Sequence, residues 1–119
     1  MGRCRIVTPD AVRLPLSDGD FLTVKKELNA GEYHALVTEG VSGKPFAVVI
    51  AYLIGWSLVG LGEQPIAYGL HQSTDERRDV LGSLDVPTIV EIVAALDAHQ
   101  AANERAIQEK KTTHEAVLA

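Results

Sequence analysis

The sequence predicts an α+β fold, predominantly helical, in which an N-terminal β-hairpin packs on a small helical domain with a buried central helix and a long C-terminal helix. Three observations predict it. Val12, Leu14 and Leu16 alternate with Arg13 and Pro15, and after Asp18-Gly19 comes Phe21-Leu22-Thr23-Val24-Lys25, the pattern of two strands about a tight turn. Pro45 to Trp56 is apolar on every helical face, so it needs burial, yet it falls short of the roughly 20 residues that span a bilayer. Ile89, Ile92, Val93 and Leu96 recur at i, i+3, i+4 and i+7, one face of an amphipathic helix.

At 119 residues the chain is expected to form one body with one core, residues 1–98, followed by a polar helical or frayed extension, residues 99–119. With 11 basic against 16 acidic residues and a net charge of −5, it has the wrong sign for holding phosphate backbones, and no nucleic-acid partner is expected. Cys4 is the only cysteine, which excludes an intramolecular disulfide and suits a reducing cytosol. The residues after Met1 carry charge but no apolar stretch, and Ile6 stands where a myristoylation signal needs Ser or Thr, so neither a targeting segment nor a membrane partner is expected.

Within the hairpin, residues 11–25, Asp18-Gly19 supplies the turn because positive φ costs Gly nothing and Asp little. Pro15 donates no ladder hydrogen bond, which places the first strand at an edge. A two-stranded hairpin is not stable alone, so the helices are expected to cover it. Asn29-Ala30-Gly31-Glu32 has capping-box spacing and starts a helix with Tyr33, Leu36 and Val37 as its apolar stripe and Gly40 as its left-handed stop. Pro45 suits the first turn of the central helix, expected to run to about Trp56. Gly60, Gly62, Pro65 and Gly69 make residues 57–70 a stretch of turns with one short extended piece. A second cap, Ser73 with Glu76, opens a short helix that stops near Gly82. Asp85 caps the last helix, with Pro87 near its first turn. Beyond Ala98 the apolar face is reduced to Ile107 and several alanines, so this helix is expected to leave the body and fray near Thr112-Thr113.

No arrangement of residues announces chemistry. His34, His71, His99 and His114 show no metal-ligand spacing, and Ser17-Asp18-Gly19-Asp20 lacks the further ligands of a calcium loop. Gly60-Leu61-Gly62 fails as a nucleotide fingerprint because Pro65 stands where a third Gly belongs. Cys4 between Arg3 and Arg5 is a reactive-thiol candidate without a wall to hold a substrate, and Asp75-Glu76-Arg77-Arg78-Asp79 reads as a solvated helix face. No catalytic residue, cofactor or metal ligand is assigned.

The order of features is more specific than any one of them. Asp18-Gly19-Asp20-Phe21-Leu22-Thr23-Val24-Lys25-Lys26-Glu27-Leu28 leads into Asn29-Ala30-Gly31-Glu32-Tyr33, then Ala51-Tyr52-Leu53-Ile54-Gly55-Trp56-Ser57-Leu58, a Gly/Pro turn, Leu84-Asp85-Val86-Pro87 and a charged terminal helix. Over residues 10–111 this succession resembles the tail assembly chaperones of long-tailed, siphovirus-type bacteriophages. The resemblance implies a non-enzymatic protein of the infected host's bacterial cytoplasm that binds the tape measure protein, self-associates into a homo-oligomer, helps recruit tail tube protein and is absent from the mature virion. It also implies a longer form made by ribosomal frameshifting. Lys110-Lys111 could be encoded by a slippery stretch, or could simply complement a helix dipole. Candidate partner or self-association residues are Trp56, Arg105, Ile107, Lys110 and Lys111. Two other classes stay open: a structural head-tail junction or tail protein of the particle, and a small enzyme or ligand-binding module, which would need a polar pocket of converging titratable groups.

Overall fold

The computed structural model describes residues 5–118, with side chains described for residues 5–109. Cys4 therefore lies outside the described residues. Strand β1 (Ala11–Pro15) and strand β2 (Phe21–Lys25) pair antiparallel with Ala11 opposite Lys25 and Pro15 opposite Phe21. Asp18 and Gly19 both take positive φ in the turn between them, at 59° and 79°. Helix α1 (Ala30–Val41), helix α2 (Ala47–Tyr52), strand β3 (Leu53–Trp56), helix α3 (Thr74–Gly82) and helix α4 (Val86–Leu118) complete the fold. The sheet order is β1-β2-β3, which leaves Pro15 on an edge strand as its missing N–H requires. Residues 57–70 are irregular apart from a short turn at Leu61–Glu63 and a single bridge between Val59 and Pro65.

The central apolar stretch divides. Its helical part is buried, but it starts after Pro45 and ends at Tyr52, and Leu53–Trp56 turns into a strand instead of continuing to Trp56 as a helix. The physical reason is β2: without a second neighbour its outer backbone groups and its two fully buried side chains, Leu22 and Val24, would lack partners. Ile54 and Trp56 favour extended backbone, and Gly55 gains little from a helix. Trp56 lies opposite Leu22 and Leu53 opposite Val24, with Ile54 taken up as an irregularity in register. Pro45 is likewise displaced from the first turn: Phe46 takes the cap position in left-handed backbone, φ 60° and ψ 29°. The Pro45 carbonyl instead accepts from Arg78 Nε at 3.1 Å. Arg78 also pairs with Glu39 at 2.7 Å, so one guanidinium ties α3 to the end of α1 and to the connector after it.

Helix α1 begins as its sequence dictates. Asn29 Oδ1 accepts from Glu32 N at 2.8 Å, and Glu32 Oε1 accepts from Asn29 N at 3.0 Å, a complete capping box. Its stop is Gly43 rather than Gly40. Gly43 has φ +72°, its N–H reaches the Gly40 carbonyl and the Lys44 N–H reaches the Glu39 carbonyl, the two bonds of a Schellman motif. Burial of the Glu32 carboxylate opposes its ionisation, but the Asn29 N–H and the Lys25 ammonium outweigh that and hold its pKa below the ordinary 4.5. A depressed carboxylate contributes stability that is complete above the unfolded value and is lost as the pH falls through the folded value. Asn29→Ala is therefore expected to cost about 1 kcal/mol while keeping the backbone N–H that holds the Glu32 carboxylate, and Glu32→Gln, which removes the titrating group, to flatten the acid limb of stability below about pH 4.5. Urea unfolding at a series of pH values checks both; an unchanged acid limb would show that the box does not hold Glu32.

Leu22, Val24, Leu36, Val49, Ile50, Tyr52, Leu53, Leu81, Ile92 and Leu96 form the core, so the sheet and all four helices contribute to it. Asp85 caps α4, accepting from Thr88 N at 2.9 Å. Glu91, one turn further on, accepts from Ser17 N and Ser17 Oγ, both at 3.1 Å, and so pins the hairpin turn to α4. At the 1.5 Å rise per residue of an α-helix, the 33 residues of α4 are about 50 Å long. That length accounts for the 60 Å long axis of a molecule 32 Å and 24 Å across.

Candidate interaction surface

The helix α4 leaves the body later than its composition predicts. His99 Nε2 lies 2.9 Å from the Lys25 carbonyl, and Asn103 Nδ2 donates to the Lys26 carbonyl at 3.0 Å. A carbonyl can only accept, so Nε2 of His99 carries a proton. The imidazole also stands edge-on to Tyr52, centroids 5.2 Å apart at 82°. Burial pushes the Tyr52 phenol above its usual pKa; the Asn103 amide, 3.4 Å away, works against this and the nearby Glu104 carboxylate adds to it. Docking of α4 thus runs through Asn103 by polar bonds to backbone carbonyls, which a search for apolar periodicity cannot see.

From Ala98 onward α4 and the start of α1 enclose an open groove of about 990 Å³. Leu28, Ala30 and Tyr33 line one side; Ala98, Ala101 and Ile107 contribute from α4. Arg105 lines it too, beside Glu104 and Glu109. Tyr33 and Ile107 are half-exposed, a state that leaves apolar surface in water.

Of the residues singled out from sequence, the structure brings Arg105 and Ile107 together in this groove and does not bring Trp56 to it. Trp56 is used within the chain: its indole N–H donates to the Ile66 carbonyl at 2.9 Å, and its ring lies 4.7 Å from Tyr68 at 39°. The bond anchors the irregular stretch after β3. Lys110 and Lys111 have side chains outside the described residues. Of the apolar stripe expected on α1, Tyr33, Leu36 and Val37, only Leu36 is buried, while Tyr33 and Val37 stay half in water. The signal that could have separated them is the a/d-type spacing of Ala30, Tyr33 and Val37, which Leu36 does not share.

Among the described residues no group of three or more His, Cys, Asp and Glu side chains is placed to share a metal ion. Nor, among them, is any helix long and apolar enough to cross a membrane. What the site offers is an apolar concavity with a charged rim between two helices, the class of surface that receives a helix or another protein. No protein-family model matches the chain, and no curated protein or solved structure matches it either.

Proposed function

We propose that the chain is a non-enzymatic tail assembly chaperone of a long-tailed bacteriophage, acting in the cytoplasm of the bacterial host and absent from the mature virion. In this reading it binds the tape measure protein, self-associates and helps recruit tail tube subunits. The observation that carries the reading is the succession of sequence features, hairpin, capped helix, apolar run ending in Trp56, Gly/Pro turn and charged terminal helix, which resembles that of the family. The open groove between α1 and α4 supports it, because a holder of a long helical partner needs exposed apolar surface more than an enclosed pocket.

The test is co-expression with the tape measure protein of the same phage, followed by affinity capture and by mass spectrometry of purified virions. The expected result is co-purification of the two proteins together with absence of the chain from the virions. Presence in virions without capture would replace the reading with a structural head-tail junction or tail protein. The groove supplies a sharper form of the experiment. Ile107→Asp places a charge on a half-exposed apolar residue, so it should reduce capture at least tenfold, about 1.4 kcal/mol, while leaving the melting temperature unchanged.

A further inference from the structure

We draw no further inference here: the strongest candidate, the exposed apolar side of α1 that runs from Tyr33 in the groove to Val41, carries nothing, because the groove rim mixes Glu104 and Glu109 with Arg105 and nothing in the structure shows what covers this face.

Discussion

Leu96→Ala will lower the free energy of unfolding by about 3 kcal/mol and the melting temperature by more than about 10 °C. Leu96 is fully buried, and it lies on the same face of α4 as Ile92, also fully buried, with Ile89 and Val93 packed beside them. Removing three carbons there loses their transfer from water and leaves a cavity between elements that meet from opposite ends of the sequence, with little freedom to collapse. Val90→Ala serves as the internal comparison. Val90 is 60% exposed, and its truncation should change stability by no more than about 0.5 kcal/mol. Urea unfolding followed by far-UV circular dichroism reads both variants. A loss below about 1 kcal/mol for Leu96→Ala would mean that α4 contributes little to the core.

Trp56→Ala should cost about 3 kcal/mol, near the lower end for a large aromatic because the side chain is only partly buried. Three losses combine: the apolar area of the indole, its packing on Tyr68, and the hydrogen bond to the Ile66 carbonyl. Trp56→Phe separates them. A phenyl ring keeps much of the packing but cannot donate, so about 1 kcal/mol of the total should reappear as the cost of the missing N–H. Both variants are to be read by unfolding of the monomer and by sedimentation. If Trp56→Ala left unfolding unchanged and dissociated an oligomer, the residue would belong to an interface between chains and not to the packing described above.

The parts of this fold legible in sequence are those fixed by neighbours close along the chain. Asp18-Gly19, Asn29 with Glu32, Ser73 with Glu76 and Asp85 each act within a few residues, and each makes the turn or cap its spacing predicts. The amphipathic face at Ile89, Ile92, Val93 and Leu96 is equally local and packs as read. The strand at Leu53–Trp56 was not legible, because its reason lies in β2, about 30 residues earlier, and an apolar run carries no periodicity to show where helix gives way to strand. Gly40 and Gly43 could not be ranked as stops without knowing which one takes positive φ. For the candidate site, Arg105 and Ile107 were within reach because an isolated Ile on a polar helix stands out. Tyr33 and Val37 were not, since half-buried and fully buried apolar residues look alike in sequence.

The polar bonds that fasten α4 have a consequence in time as well as in space. Ser17 is held by Glu91, 74 positions later; the Lys25 carbonyl waits for His99, again 74 later, and the Lys26 carbonyl for Asn103, 77 later. At the roughly 5–20 residues per second of synthesis, the ribosome needs about 4 to 15 s to supply that last partner. Throughout this interval the nascent hairpin has its turn and its exit from the sheet unfastened, and β2 presents Leu22 and Val24 without the helix that covers them. Folding of the body is therefore gated by the last third of the chain, and a polypeptide interrupted before Glu91 would release an uncovered sheet prone to pair with its own copies.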